Sequence, residues 1–251
     1  MEQAQPILSL AIPVRNREDS QALQATLDSI SQLNGHQPIE VRIQVGQDVE
    51  ASFDSALIKH PCAPIWRFEK DTGIYSAMNA MCKAARGSRI LFLGAGDCLL
   101  PGLASAIQRW SEAPVPSRLE LGGVCLPNPE SRVPDHYPAR WDRSLLWRNT
   151  THHQGIAYPR QVLLDLGGFP EEHPILADYA INLRMWSQGI PAHWKTDENW
   201  VSASAGGVSR QFTKALYAEE LAMKRQELKP GPTRWTQPLW IGLKSIWKRA
   251  V

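Results

Sequence analysis

Apolar and polar positions alternate along the N-terminal half of the chain in blocks that predict a repeating strand and helix order. Apolar runs at residues 7–14, 39–45, 63–68 and 90–93 each predict a strand. Between the last two runs, apolar residues recur at the spacing of one helical face: Ile74, Ala77, Met78, Met81, Cys82 and Ala85. Because strands that alternate with helices form wound parallel sheets, this pattern predicts an α/β fold.

Polar residues and glycines follow each predicted strand. They occupy residues 13–17, 46–50, 69–73 and 94–97. Ligands of open α/β sheets bind beyond the carboxyl ends of the strands, so we expect these four segments to converge. Asp97 is the carboxylate of the last segment, where glycines allow a ligand to approach the backbone closely.

Composition narrows the class of protein. The chain has 251 residues, of which 43% are hydrophobic and 21% charged, which indicates one large globular α/β domain. The formal net charge of +2 is too small to indicate nucleic acid as the main partner. Four cysteines without a CxxC pair and an N-terminus unlike a signal peptide predict a cytoplasmic protein.

The block from Asp71 to Asn79, with the sequence DTGIYSAMN, covers the turn after the third strand and the beginning of the following helix. It resembles the family 2 glycosyltransferases, in particular bacterial enzymes of exopolysaccharide assembly of the colanic-acid type. The resemblance extends over roughly residues 7–212 as separate motifs in order. The later motifs are His153-Gln154, Gly167 to Glu171, Ala177 to Ala180 and Ser202 to Ser209.

This resemblance implies a GT-A-type, Rossmann-like, mostly parallel sheet flanked by helices, and inverting transfer of a sugar from a nucleotide-diphosphate donor. It implies that Asp178 is the catalytic base and that Asp97 holds Mg²⁺ or Mn²⁺ at the diphosphate. Gly94 and Gly96 stand where some family members carry further acids, which leaves metal use open. We expect the two aspartates to face one cleft.

Further residues are candidates for substrate contact: Arg15, Asp71, Gly73, Tyr75, Asn79, His153, Gln154, Arg184, Gly206 and Gly207. Structural alternatives are an Asx-turn at Asp71, local hydrogen bonding by Asn79 and an ion pair at Arg184. Gly206 and Gly207 belong to a loop that closes over the site in related enzymes. The family's aspartate after the second strand has no clear counterpart here, so uridine and guanosine nucleotides both stay open.

The resemblance and the change in pattern divide the chain into a nucleotide-sugar half (1–125), an acceptor and catalytic half (126–212) and a helical tail (213–251). The resemblance implies a glycan or lipid-linked glycan as the acceptor, and we expect no nucleic acid as a partner. A non-catalytic nucleotide-sugar-binding or scaffold protein of the same fold is the alternative. A dehydrogenase is disfavoured, because no GxGxxG follows the first strand.

The end of the tail, residues 239–251, has the pattern of an amphipathic helix. One predicted face carries Trp240, Leu243, Ile246, Trp247 and Ala250, with basic residues elsewhere. Tryptophans beside basic residues are typical of a helix lying on an anionic membrane. Docking on the protein's own core is the alternative interpretation. The first interpretation predicts peripheral attachment at the inner face of the cell membrane.

Overall fold

The computed structural model describes residues 5–15, 19–33, 39–46, 53, 55–115, 117–127, 134–204 and 212–250. The strands are β1 (Leu8–Val14), β2 (Ile39–Val45), β3 (Ile65–Phe68), β4 (Arg89–Phe92), β5 (Cys98–Leu99), β6 (Leu119–Cys125), β7 (His136–Tyr137), β8 (Ile156–Pro159) and β9 (Ala192–Ser202). The helices are α1 (Ser20–Ser31), α2 (Ser55–Ile58), α3 (Ile74–Ala84), α4 (Pro101–Glu112), α5 (Arg160–Asp165), α6 (Ala177–Ser187), α7 (Lys214–Glu227) and α8 (Pro232–Ala250). Two 3-10 helices cover Arg143–Leu146 and His153–Gly155.

The described strands form one mixed sheet in the order β3-β2-β1-β4-β8-β6-β9-β5, and β7 pairs with β6. The first four strands of this order are parallel, which confirms the wound α/β sheet predicted from the N-terminal pattern. Beyond β4 the sheet continues through antiparallel pairing with β8 and β6. The predicted nucleotide and acceptor halves therefore share one sheet, since β8 of the second half pairs with β4 of the first.

Two apolar cores pack against the sheet. Every residue of β4 is buried, because this strand lies between β1 and β8 with side chains packed on both faces. Helix α3 buries most of the predicted face, including Met78, Met81 and Cys82, in one core, but Ile74 at its start is 54% exposed. Helices α1 and α4 pack into the other core. The loop that begins α3 therefore lies at the carboxyl ends of β2 and β3, where the Glu69 N–H donates to the Val45 carbonyl. The loop that ends α3 lies at the opposite edge, where the Ser88 N–H donates to the Pro6 carbonyl just before β1.

The tail consists of α7 and α8, which pack against each other. Helix α7 also contacts α6, the helix that carries Asp178. Within the described residues, none of the helices combines the length and the apolar character that a membrane crossing requires.

Candidate active site

The ends of β1, β2 and β3 come together as predicted from the strand pattern. The Gly46 N–H donates to the Val14 carbonyl at 3.0 Å, and the Glu69 N–H donates to the Val45 carbonyl at 3.1 Å. The Asp71 side chain packs directly on Gly46, since a Cβ at position 46 would lie 2.1 Å from Asp71 Oδ2. Glycine at this position therefore leaves room for the carboxylate of Asp71.

Asp71 begins the turn that leads into α3. Its Oδ1 accepts a hydrogen bond from the Gly73 N–H at 3.1 Å, so the Asx-turn considered from the sequence is present. Gly73 has φ +151°, a conformation that side chains rarely adopt. Partial burial raises the pKa of Asp71 above its ordinary value, and the Gly73 N–H offsets only part of this effect. The substrate contacts of both residues stay predictions.

Asp178, in the first turn of α6, is held from two sides. His153 Nδ1 lies 3.5 Å from Asp178 Oδ2, and the Tyr75 hydroxyl donates to Asp178 Oδ1 at 3.2 Å. The same hydroxyl lies 3.1 Å from the Ile175 carbonyl. The Asp178 side chain is 12% exposed and that of His153 is 27% exposed. The acid is thus mostly buried but retains an edge open to solvent.

Opposing effects act on the pKa of Asp178. Burial is the largest and raises the pKa, but hydrogen bonding and charge from His153 lower it. The Tyr179 N–H and the charge of His152 lower it further, and the net pKa is below the ordinary value. His152 stacks on His153 with the ring centroids 5.3 Å apart. The carboxylate is therefore ionised at neutral pH.

Asp97 has a different environment. Its Oδ2 accepts from the Gly94 N–H at 2.6 Å and from Gln154 Nε2 at 3.1 Å. Its Oδ1 accepts from the Ser204 N–H at 2.8 Å and from the Ser204 hydroxyl at 3.3 Å. Asp97 is only 1% exposed. The expectation that both aspartates open onto one cleft is therefore not met by Asp97.

The dipeptide His153-Gln154 connects the two acids. His153 contacts Asp178, and its neighbour Gln154 donates to Asp97. Gln154 Oε1 is buried, and no hydrogen-bond donor among the described residues reaches it. A buried acceptor without a donor is unfavourable, so a ligand hydroxyl that donates to this oxygen would be stabilising. The substrate contact of Gln154 stays a prediction.

The residues do not fit a metal ion held by the protein alone. Mg²⁺ and Mn²⁺ require oxygen ligands with free lone pairs. The four hydrogen bonds to Asp97 use the acceptor capacity of its carboxylate. In the part of the chain that the structure describes, no group of three His, Cys, Asp or Glu side chains could hold a metal. Metal binding by Asp97 stays a prediction that this arrangement does not support.

Asn79 requires a correction. Its Nδ2 donates to the Phe169 carbonyl at 2.9 Å and to Glu171 Oε1 at 3.0 Å, and its Oδ1 accepts from the Phe169 N–H at 2.8 Å. These bonds attach α3 to the turn that contains Gly168. Because the amide is satisfied within the protein, Asn79 has a structural role in place of the predicted substrate contact.

Arg184 requires the same correction. Its guanidinium binds both carboxylate oxygens of Glu227 in α7, at 3.0 and 2.5 Å, and donates to the Leu166 carbonyl at 3.0 Å. The hydrogen bond to Glu227 is the main cause that raises the pKa of Arg184. This bidentate pair joins α6 to α7. The ion-pair alternative considered from the sequence is therefore the one present.

The remaining candidates have mixed outcomes. Arg15 is exposed directly after β1, and its N–H donates to Asp19 Oδ2 at 3.3 Å. Tyr75 contacts Asp178 and so acts through the predicted base in this structure. Gly206 and Gly207 lie outside the described residues.

Two site-supporting residues were not predicted from the sequence. Ser204 binds Asp97, although the motif that contains it was recognised. Glu219 Oε1 in α7 accepts from the N–H groups of Ile175 and Leu176, just before α6, at 2.8 and 2.7 Å. No sequence pattern links Glu219 to α6, because the contact depends on how the tail folds back.

Comparison with known proteins finds relatives of this chain by sequence. No protein-family model matches the chain. The "PGL/p-HBAD biosynthesis glycosyltransferase" of Mycobacterium bovis (strain BCG / Pasteur 1173P2) is 31% identical over 188 residues, covering 73% of this chain and 71% of the relative. The protein of the same name from Mycobacterium tuberculosis (strain ATCC 25177 / H37Ra) has the same identity and coverage.

Solved structures have the same fold at lower identity. TarS 1–349 of S. aureus in complex with UDP-GlcNAc gives a TM-score of 0.64 at 15% identity, covering 96% of this chain and 72% of that one. The mannosyltransferase PcManGT of Pyrobaculum calidifontis, in complex with GDP-Man and Mn²⁺, gives 0.59 at 18%, covering 98% and 72%. These likenesses show the fold alone. The identity to the mycobacterial proteins over most of both chains shows that this protein belongs to the glycosyltransferases.

Proposed function

We propose that the protein is an inverting glycosyltransferase of family 2 with a GT-A fold. It transfers a sugar from a nucleotide diphosphate to a hydroxyl of a lipid-linked glycan during the synthesis of cell-surface polysaccharide. The order of the sequence motifs and the names of the mycobacterial relatives support this proposal. A lipid-linked acceptor would place the reaction at the inner face of the cell membrane.

The arrangement around Asp178 carries the proposal. An acceptor hydroxyl must lose its proton as it attacks, and a positioned carboxylate can accept that proton. Asp178 is ionised, and Tyr75 and His153 each hold one of its oxygens. The acceptor oxygen forms the new bond to the anomeric carbon, while the bond to the diphosphate breaks and its electron pair leaves with the diphosphate. A single displacement of this kind inverts the sugar carbon.

The donor is proposed to bind at the converged strand ends. Asp71 and the exposed Arg15 lie at these ends, and Gln154 offers its unpaired oxygen to a sugar hydroxyl. TarS was solved with UDP and UDP-GlcNAc and PcManGT with GDP-Man, so both nucleotide classes stay open for this chain. PcManGT also holds Mn²⁺. Because the atoms around Asp97 do not fit a metal ion, the proposed reaction has no step that depends on a metal.

Transfer of radiolabelled sugar tests the role of the base. Asp178→Asn keeps the size and shape of the side chain but removes its ability to accept a proton. We expect turnover to fall by about 100-fold or more, which is the usual contribution of general base catalysis. Binding of the nucleotide should persist. If the variant turns over as fast as the parent protein, Asp178 is not the base.

The burial of Asp97 favours one other function. A protein that binds a nucleotide sugar without transferring it needs no open carboxylate at the diphosphate, and Asp97 is engaged by four protein hydrogen bonds. Such a protein would bind UDP or GDP sugars but release no labelled nucleotide with any acceptor. A thermal-shift series of nucleotide diphosphates, with and without Mn²⁺, identifies the ligand first.

A further inference from the structure

Helix α8 docks on the protein with a mixed face that carries Gln237 and Lys244 and also the apolar Ile241. Gln237 and Ile241 face the protein and are 1% and 5% exposed. The apolar residues on the other side are open to solvent, with exposed fractions of 57% to 72%: Trp235, Leu239, Leu243 and Ile246. We call these four residues the outer stripe. A surface helix usually buries its apolar stripe, so this orientation is the reverse of the usual one.

Polar contacts fix that orientation. Lys244 Nζ donates to both oxygens of Glu220 in α7, at 2.9 and 2.8 Å. Lys224, also in α7 and fully buried, donates to Gln237 Oε1 at 3.0 Å. Rolling the helix to bury its outer stripe would break these hydrogen bonds, although Lys224 and Glu220 would still pair with each other at 3.0 Å. The polar side chains of Gln237 and Lys244 would lose their partners on α7, which is unfavourable. The stripe is therefore held outward by the fold.

The outer stripe differs from the face predicted from the sequence. Leu243 and Ile246 belong to both, but Trp240 does not belong to the stripe. The Trp240 Nε1–H donates to the Trp147 carbonyl at 2.9 Å, which holds that indole against the protein. The spacing of 4, 4 and 3 residues within the stripe places its members on one side over about 17 Å of helix.

We propose that the outer stripe is the surface by which the protein lies on an anionic phospholipid bilayer. Residues 229–251 contain five basic residues and no acidic one: Lys229, Arg234, Lys244, Lys248 and Arg249. Lys244 is paired with Glu220, so four basic residues remain for attraction to anionic lipid. Basic segments are attracted to anionic headgroups, while apolar side chains including tryptophan enter the interface. The helix attaches the protein reversibly and does not cross the bilayer.

A second copy of this chain fits the stripe less well. Two copies of α8 would bring two wholly basic segments together, and like charges at an interface are unfavourable. Stable protein interfaces also use about 20 to 30 residues on each side, many more than the four side chains of the stripe. Charge and size both favour lipid.

The stripe connects to the candidate base through α7. Glu220 and Lys224 of this helix hold α8, and the adjacent Glu219 accepts from the N–H groups just before α6. Helix α6 carries Asp178. Bilayer attachment through α8 would therefore hold the base in a fixed orientation to a lipid-linked acceptor. This consequence for the acceptor rests on the proposed function, whereas lipid binding does not.

Co-sedimentation of the full chain with vesicles tests the inference. We expect binding to phosphatidylcholine vesicles that contain phosphatidylglycerol, weak binding to phosphatidylcholine alone, and weaker binding at high salt. The double variant Leu239→Ser/Leu243→Ser should bind roughly tenfold less or weaker still, because each buried methylene contributes to membrane affinity. Its melting temperature and nucleotide binding should match those of the parent protein.

A matched control removes two exposed apolar side chains elsewhere. Ile58 and Val115 are 43% and 36% exposed, so Ile58→Ser/Val115→Ser should leave vesicle binding unchanged. Absence of binding to anionic vesicles, or equal binding by the stripe variant, would overturn the inference. So would a dimer in light scattering that the stripe variant dissociates, since a second copy would then cover the stripe. Vesicle binding without transferase activity would count against the proposed function only.

Discussion

Replacing Tyr75 by phenylalanine removes one hydroxyl from the candidate site and leaves the ring in place. In the structure this hydroxyl lies 3.2 Å from Asp178 Oδ1 and 3.1 Å from the Ile175 carbonyl. It thereby links the carboxylate to the backbone just before α6. Tyr75→Phe should leave Asp178 with one donor fewer and with greater rotational freedom.

The expected magnitude follows from the geometry. A hydrogen bond to a charged group contributes about 1.5–3 kcal/mol. The hydroxyl is shared between two acceptors, and 3.2 Å is long for a bond to a carboxylate, so we take the lower end of this range. Since about 1.4 kcal/mol corresponds to tenfold in rate, kcat should fall roughly tenfold. Loss of a donor to the carboxylate should also raise the pKa of Asp178.

The assay is radiolabelled transfer as a function of pH, with nucleotide binding measured separately. The acid limb of the pH–rate profile should move to higher pH in Tyr75→Phe, and binding of the nucleotide should not change. Tyr179→Phe is the matched control, because its buried hydroxyl donates to the Leu145 carbonyl at 2.6 Å and not to Asp178. An unchanged kcat and acid limb in Tyr75→Phe would refute the positioning role of Tyr75.

Three further predictions concern stability. Asp97→Asn turns an amide N–H toward donors such as the Ser204 N–H. The free energy of unfolding, measured in urea without nucleotide or metal, should fall by about 1–3 kcal/mol. Unchanged stability would contradict a structural role for the Asp97 carboxylate. Asn79→Ala removes three hydrogen bonds to the turn at Phe169 and should lower the melting temperature. The kcat/KM of the folded protein should not change. A loss of kcat/KM without a loss of stability would instead support a substrate contact by Asn79. The pKa of Asp178 is lowered in the folded state, so its ionised form contributes stability above the ordinary value of 3.8 that is lost as the pH falls through the lower folded pKa. Asp178→Asn should therefore flatten the stability profile below about pH 4, and an equally steep profile in the variant would show that Asp178 contributes nothing.

The local pattern of the sequence was enough to predict the parallel half of the sheet. The strands β1, β2, β3 and β4 and the helix α3 are each encoded by a run or period of apolar residues, and each follows its neighbour closely along the chain. The carboxyl ends of parallel strands meet at one edge, so the alternation predicts that the segments containing Gly46 and Asp71 converge. That the Asp71 carboxylate packs on Gly46 is decided by the tertiary structure. The motif match likewise singled out His153, Gln154 and Asp178 before their contacts were known.

Other features depended on contacts between distant residues. The sequence shows which residues have polar side chains, but the tertiary structure decides which partner each of them binds. Asn79 and Arg184 are satisfied by Phe169 and Glu227, which lie 90 and 43 positions away.

The tail illustrates the same distinction. Its sequence by itself determined an amphipathic helix with a basic character, because helical period and charge are local properties. Which side of α8 meets the protein was decided only by tertiary structure, since Lys224 and Glu220 of α7 bind its polar residues and leave the outer stripe in solvent. The burial of Asp97 has the same origin: its partners Gln154 and Ser204 are 57 and 107 residues away and reach it only once the sheet has formed.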